Sequence, residues 1–152
     1  MSNYQFDDSN VTWHEIEEID HLKYHVCHVD EVAKIADILF KVTANQTVMM
    51  HRHHAAYKTL ILQGELKIFT TDGSLKEVRP VGSYISTEVT GEPHTDRAGD
   101  QDLIVLFSNR GTDGVIYEFL DENLNTVFEV GMPEFKELWG AQQKAAYELE
   151  RM

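Results

Sequence analysis

The stretch that decides the fold is residues 51–64, which read HRHHAAYKTLILQG. Two histidines, at positions 51 and 53, stand ahead of an apolar run that ends in a glycine turn. In an extended segment successive side chains point to opposite faces, so His51 and His53 share one face while Arg52 and His54 share the other. Two imidazoles on one face can bind the same ion. The spacing therefore predicts a metal site, with His54 at the surface.

Length and composition narrow the class of protein. A chain of 152 residues is the size of one domain, and we expect a single domain over residues 1–152. The N-terminus lacks the features of a secretion signal, and the longest apolar run, residues 103–107, is too short to span a bilayer. We therefore expect a cytoplasmic protein without membrane contact. The lone cysteine, Cys27, rules out an intrachain disulfide and is expected to be buried as a small apolar residue.

The charge balance bears on partners. Thirteen basic and 26 acidic residues give a formal net charge of −13, which repels phosphate backbones and anionic membranes. The sequence therefore predicts no nucleic-acid partner. A pocket can still carry local positive charge, and Arg79 and Arg97 are the residues that could supply it.

Many short apolar stretches separated by turn signals indicate an all-β sandwich or barrel. The dipeptides Gln63-Gly64 and Asp72-Gly73 predict two hairpins with antiparallel strands. Residues 32–42 fit both a helical stripe and a strand alternation, and we interpret them as a strand. The predicted strands cover residues 11–19, 23–29, 35–42, 47–53, 59–62, 65–70, 75–79, 83–87, 103–109, 115–120 and 126–130.

The C-terminal segment has helical periodicity. Pro133 is a good residue for the first turn of a helix, and Gly140 weakens the helix locally. We predict an amphipathic helix over residues 133–150 that covers the outside of the sheet. Its apolar face comprises Phe135, Leu138, Trp139, Ala145, Ala146 and Leu149.

The histidine spacing and the glycine turns together resemble the cupin superfamily. Its first motif is His-x-His followed by a glutamate and a glycine. His51, His53 and Gly64 keep this spacing, while Tyr57 occupies the glutamate position and the leading glycine is missing. The second motif, Pro-x-Gly followed by a histidine, resembles residues 80–82 and His94. Residues 51–64, 82–84 and 91–95 look like the group containing 2,4'-dihydroxyacetophenone dioxygenase, acetylacetone-cleaving dioxygenase and the cupin domain of ChrR-type anti-sigma factors.

The resemblance implies a fold and a metal site. The fold is a double-stranded β-helix, or jelly-roll barrel, over about residues 11–130, followed by the C-terminal α-helix, in a chain that forms a homodimer. In the resembled group three histidines hold iron, so the absence of glutamate at position 57 does not remove the site. The implied ligands are His51, His53 and His94. The implied cofactor is one divalent metal per chain. Fe(II) is the metal that the resemblance favours, and Zn or Ni are alternatives.

Other residues near these motifs are candidates for catalytic roles. Tyr57 could line the pocket or hydrogen-bond a ligand, because an unperturbed phenol keeps its proton up to a pKa of about 10. Glu88 or Glu92 could orient an imidazole through its free N–H. Arg97, three residues after His94, could pair with an acidic group of the substrate.

The implied activity is that of a non-haem iron dioxygenase. The small-molecule substrate would be a diketone or hydroxyketone bound as a chelating enolate, and reaction with O₂ would cleave a carbon–carbon bond. Two alternatives stay open. One is a non-catalytic metal- or ligand-binding sensor related to the ChrR cupin domain, and the other is an isomerase or hydrolase that is metal-free or uses another divalent metal.

Overall fold

The computed structural model describes residues 4–151 of the chain, so residues 1–3 and 152 of the predicted domain lie outside the described part. The elements follow one another as β1 (His14–Glu15), β2 (Leu22–Asp30), β3 (Ile35–Val42), β4 (His51–His53), β5 (Ala56–Gln63), β6 (Leu66–Phe69), β7 (Leu75–Arg79), β8 (Tyr84–Thr87), β9 (Thr95–Ala98), β10 (Leu103–Arg110), β11 (Val115–Leu120), β12 (Thr126–Gly131) and α1 (Met132–Glu150).

The strands pair in antiparallel fashion and form two layers. One layer is a six-stranded sheet with the order β1-β2-β3-β10-β5-β8. The other consists of two three-stranded sheets, β12-β11-β4 and β7-β6-β9. Isolated bridges from Thr47 to Arg97 and from His51 to His94 join these two sheets along β4 and β9. This is a jelly roll with a C-terminal helix, and the predicted fold class is confirmed.

The core lies between the layers. Strand β5 has a buried residue at every second position, as expected when one face of a strand covers a core. Ile38 and Val105 of the six-stranded sheet belong to the same buried cluster as Leu66 and Phe119 of the smaller sheets. Residues 35–42 form a strand, as predicted, and this strand lies between β2 and β10.

The structure corrects one of the two predicted hairpins. β6 and β7 pair across Asp72-Gly73 as expected. β5 and β6 do not pair across Gln63-Gly64, because β8 and β10 occupy both edges of β5. Gly64 has a φ of +71°, and a Cβ there would lie 3.0 Å from the Asp102 carbonyl oxygen. The glycine turn therefore carries the chain from one layer to the other instead of closing a hairpin.

Three further predictions need correction. Residues 11–19 contribute only the two-residue strand β1, and residues 95–98 form a strand, β9, that the apolar pattern did not indicate. Cys27 is exposed, because the inward positions of β2 up to Val26 are the even-numbered ones, and the next buried residue is Val29. The strand also changes register between Val26 and His28, where Cys27 lies.

Helix α1 begins at Met132, immediately after Gly131. The Gly131 N–H donates to the Glu134 carboxylate at 2.7 Å, and Met132 and Phe135 are buried. The Gln142 side chain bonds both backbone groups of Val26, which holds the helix against β2. The predicted apolar face is only partly covered, since Leu149 is 70% exposed. Within residues 4–151, no helix combines the length and the apolar character that crossing a membrane requires.

Candidate metal centre

The structure brings His51, His53 and His94 together. His51 and His53 are the two buried positions of β4, and their side chains share one face because one residue separates them. His94 lies next to β9 and pairs with His51 through the backbone. One ring nitrogen from each of the three histidines lies within 4.8 Å of the other two. His94 is the most accessible, with 11% of its side chain exposed.

Hydrogen bonds decide which nitrogens face the centre of this cluster. The Nδ1 of His51 donates to the Met49 carbonyl at 2.8 Å, and the Nδ1 of His94 donates to the Glu92 carbonyl at 3.1 Å. Each Nε2 is then left for another partner. Neither ring nitrogen of His53 has a hydrogen-bond partner among the described residues. Three imidazoles whose ring nitrogens converge in one buried place fit a divalent metal ion.

The electrostatics of the cluster favour neutral imidazole at two positions. Burial and the neighbouring His51 and His94 hold the pKa of His53 well below its ordinary value. Burial also lowers the pKa of His94, against the opposing effect of Asp96. For His51 burial acts in the same direction, but the charge and hydrogen bond of Asp96 outweigh it and raise the pKa. Metal binding needs neutral imidazole, and the site provides it at His53 and His94.

Asp96 is the residue that the sequence analysis missed. Its Oδ2 lies 3.1 Å from the Nε2 of His51, and its Oδ1 lies 3.7 Å from the Nε2 of His94. Burial would raise the pKa of Asp96, but the charges of His51 and His94 lower it below the ordinary value. The signal was present in the sequence, because Asp96 follows His94 by two residues and so shares its face of an extended segment.

Tyr57, at the position of the motif's glutamate, packs against the cluster. Its ring stacks on that of His53 with centroids 4.0 Å apart and is 6% exposed. Burial raises the pKa of the Tyr57 hydroxyl, so the phenol keeps its proton at neutral pH. A neutral phenol is suited to hydrogen bonding, and binding a metal as a phenolate would be costly.

A buried arginine lies beside Tyr57. Arg79 is 4% exposed and donates to the Thr59 hydroxyl at 2.8 Å and to the Thr87 hydroxyl at 3.3 Å. Its guanidinium also pairs with Glu77. Arg79, one of the two predicted sources of local positive charge, therefore lines the same pocket as His53 and Tyr57.

Two pockets flank the histidines. The outer one, of about 120 Å³, is lined by His53, His94 and mostly charged or polar side chains, among them Lys76, Arg79 and Glu88. The inner one, of about 40 Å³, reaches His51 and Asp96 and is otherwise lined by apolar residues such as Phe107 and aromatic Tyr117. The cluster thus separates a polar entrance from a small apolar interior.

The remaining predicted residues lie farther from the centre. Glu88 is exposed at the outer pocket, and Glu92 is an exposed partner of Lys76 at 3.2 Å. Arg97 alternates with Asp96 along β9, so it faces away from the histidines, and it donates to the Thr47 hydroxyl at 3.1 Å. The structure therefore brings Tyr57 to the histidines, places Glu88 at the rim of the pocket, and places Arg97 on the other face.

His54 lies on the opposite face of the sheet, as predicted. Its Nε2 is 2.7 Å from the Glu118 carboxylate, and it forms a second, more exposed cluster with Glu118 and Glu129. Glu118 also accepts a hydrogen bond from the Thr126 hydroxyl, so its carboxylate already has two partners within the fold.

Comparison with solved structures identifies the fold. No protein-family model and no curated protein matches the sequence. An RmlC-like cupin protein from Ralstonia eutropha superposes with a TM-score of 0.71 and 16% identity, over 95% of this chain and 89% of that one. An acetylacetone dioxygenase from Acinetobacter johnsonii gives 0.64 and 17%, over 93% of each chain. The polyketide cyclase RemF from Streptomyces resistomycificus gives 0.58 and 17%, over 88% of this chain and 91% of that one. The chain has the RmlC-like cupin fold.

Proposed function

We propose that this protein is a metal-dependent dioxygenase, with Fe(II) as the metal. It cleaves a carbon–carbon bond in a small diketone or hydroxyketone that binds as its enolate. The observation that carries the proposal is the buried cluster of His51, His53 and His94, whose ring nitrogens converge. The likeness to an acetylacetone dioxygenase supports the same reaction class. Bound by the three histidines, the ion supplies the Lewis acidity and redox chemistry that cleavage by O₂ requires.

The residues around the histidines have roles in binding and orienting the substrate. The buried guanidinium of Arg79 lines the outer pocket and can face an enolate oxygen there, although Glu77 already balances its charge. The Tyr57 hydroxyl keeps its proton and can donate a hydrogen bond to an enolate oxygen. The stacked rings of Tyr57 and His53 exclude water from one side of the site.

The inner pocket limits what can lie behind the histidines. Its volume of about 40 Å³ holds a few water-sized groups, such as a methyl group or a dioxygen molecule, whereas the outer pocket, of about 120 Å³, holds more. We therefore assign the bulk of the substrate to the outer pocket. Both atoms of O₂ enter the products, which are two acids or an acid and an aldehyde, so the reaction needs no other oxidant or reductant.

The first test is metal content. Protein without an affinity histidine tag is loaded with Fe(II), and metal per chain is measured by elemental analysis together with His51→Ala, His53→Ala and His94→Ala. We expect about one ion per chain in the wild type and loss of binding in each variant. His54→Ala is the matched control, because His54 is adjacent in sequence but faces the other side of the sheet. Wild-type protein that binds no metal would contradict the proposal.

The second test is oxygen uptake. The iron-loaded protein is given a panel of β-diketones and hydroxyacetophenones, and O₂ consumption is compared with product formation. We expect one O₂ consumed per substrate cleaved and no uptake by His94→Ala. An iron-loaded protein that consumes no O₂ with any member of the panel would contradict the dioxygenase assignment while leaving the metal site in place.

A non-catalytic metal-binding sensor is the second candidate. It is favoured by the position of Asp96 when the ion is tetrahedral, because three histidines and a carboxylate then supply all four ligands of a closed, structural zinc site, whereas a six-coordinate ion keeps two open positions. This function predicts tight zinc binding, a change in stability on binding a small ligand, and no turnover in the oxygen assay.

A further inference from the structure

Asp96 has no role in the proposed dioxygenase site as described so far, yet it is buried among the three histidines. Asp96 is 8% exposed, and its Oδ1 has no hydrogen-bond partner among the described residues. An ionised carboxylate in such a place is costly unless a cation or a set of donors compensates it. A compensating partner must therefore lie among the histidines.

The hydrogen bonds narrow the choice of partner. Because the Nδ1 of His51 donates to the Met49 carbonyl, the Nε2 of a neutral His51 presents a lone pair to the Asp96 oxygen 3.1 Å away. Two lone pairs at that distance need a positive charge between them. A proton on His51 would satisfy this one contact only, and would leave the Oδ1 of Asp96 and both nitrogens of His53 unpaired. One metal ion can accept lone pairs from the Asp96 carboxylate, from the Nε2 of His51 and from one ring nitrogen of His53 at the same time.

The spacing of the atoms agrees with a shared ion. Two ligand atoms that each lie about 2.1 Å from one ion are separated by about 3.0 to 3.4 Å in octahedral or tetrahedral geometry. The Asp96 oxygens lie 3.1 and 3.7 Å from the ring nitrogens of His51 and His94. Small adjustments of side chains would bring all of these atoms into one coordination shell.

We propose that Asp96 is a ligand of the metal, so that the site consists of three histidines and one carboxylate. This inference rests on the proposed function, and it names a feature that the sequence motif does not contain. In the motif the carboxylate follows the first two histidines, at the position where this chain has Tyr57 on β5. Here the carboxylate comes from β9, two residues after the third histidine.

The extra ligand also defines the substrate class of the proposed dioxygenase. A divalent ion bound by Asp96 keeps one net positive charge, and a singly charged enolate neutralises it. A dianionic substrate would leave a net negative charge in a buried site, which is unfavourable. The site therefore selects monoanionic chelates, such as the enolate of a β-diketone, over dianions.

The experiment compares Asp96→Asn with Asp100→Asn, an exposed position that changes the net charge by the same amount. Co(II) affinity is measured by competition with a chelator, and the visible spectrum of bound Co(II) reports the ligand set. We expect Asp96→Asn to weaken Co(II) binding by more than about 100-fold and to change the spectrum. Loss of a residue that only hydrogen-bonds to a ligand costs about 10- to 100-fold in affinity. Asp100→Asn should match the wild type in both.

The outcomes separate this inference from the proposed function. Wild-type protein that binds no Co(II) would contradict both. Wild-type binding together with an unchanged Asp96→Asn spectrum would contradict only the ligand role, whether or not affinity falls, because a residue that merely orients His51 leaves the ligand set intact. If Asp96→Asn does not fold, a crystal structure of the zinc-loaded wild type decides, since a ligand oxygen must lie about 2.0 to 2.2 Å from the ion.

Discussion

His51 and His94 are backbone partners as well as neighbours in the cluster. The His51 N–H donates to the His94 carbonyl at 3.0 Å, and the His94 N–H donates to the His51 carbonyl at 2.9 Å. Directly opposite residues of an antiparallel pair present their side chains on the same face. The pairing that joins the two smaller sheets therefore also brings together two imidazoles that are far apart in sequence.

A bound ion should stabilise the fold, because it links the segments that carry His51, His53 and His94. The free energy of unfolding should rise by about 2.7 kcal/mol when the free ion is about 100-fold above its Kd. The rise in Tm with added Zn²⁺ or Fe(II) is measured by calorimetry. His53→Ala should abolish the rise and His54→Ala should keep it. An equal rise in His53→Ala would place the ion elsewhere.

Arg79 and Arg97 should differ sharply in their contribution to stability. Arg79→Met leaves the buried Thr59 hydroxyl without its donor and should lower the free energy of unfolding by about 1 to 3 kcal/mol. Arg97→Met loses one hydrogen bond at a more exposed site and should change it by no more than about 0.5 kcal/mol. Urea unfolding measures both. Similar losses for the two variants would contradict the placement of Arg79 in the core of the pocket.

Two glycines at the C-terminal helix should respond to alanine in opposite ways. A Cβ at Gly131 would lie 2.3 Å from the Gly114 carbonyl oxygen, whereas nothing lies within 4 Å of a Cβ at Gly140. Gly131→Ala should therefore destabilise the protein by about 1 to 3 kcal/mol, the range typical of overpacking. Gly140→Ala should stabilise it by up to about 1 kcal/mol through helix propensity. Thermal melts of the two variants test the difference, and destabilisation by Gly140→Ala would contradict an open helical site.

Tyr117 should make the protein sensitive to alkali. Burial raises the pKa of the Tyr117 hydroxyl well above 10, despite its hydrogen bond to Asn109. Above about pH 10 the unfolded chain releases this proton and the folded chain retains it, so the unfolded state binds fewer protons and stability falls as pH rises. Each such group lowers the free energy of unfolding by about 1.4 kcal/mol for each pH unit between its pKa in the unfolded chain and its pKa in the folded chain.

The Tyr117→Phe variant tests this effect. Its free energy of unfolding should differ from that of the wild type by a constant amount between pH 7 and 9, where only the Asn109 hydrogen bond is lost. Above about pH 10 its stability should fall less steeply than that of the wild type. Parallel curves over the whole range would show that another group causes the alkaline loss.

The strands were predicted from local sequence patterns, and the predictions succeeded where the pattern within the strand was strong. Strands β3, β7 and β11 have the bounds that alternation and turn signals indicated. β9 was missed because Thr95–Ala98 is short and carries an acidic and a basic residue, so its apolar alternation is too weak to detect. Asp96 was missed with it, since its position relative to His94 gains meaning only once both are known to be extended.

The sequence pattern by itself determined the all-β class, the C-terminal helix and the common face of His51 and His53. These properties depend on periodicity and turn residues, which act over a few positions. Only the tertiary structure decided that β5 pairs with β8 and β10, that Arg79 lies beside Tyr57, and that Asp96 faces His51. The reason is physical, because alternation decides which side chains share a face of one strand, while the register between distant strands decides which faces meet.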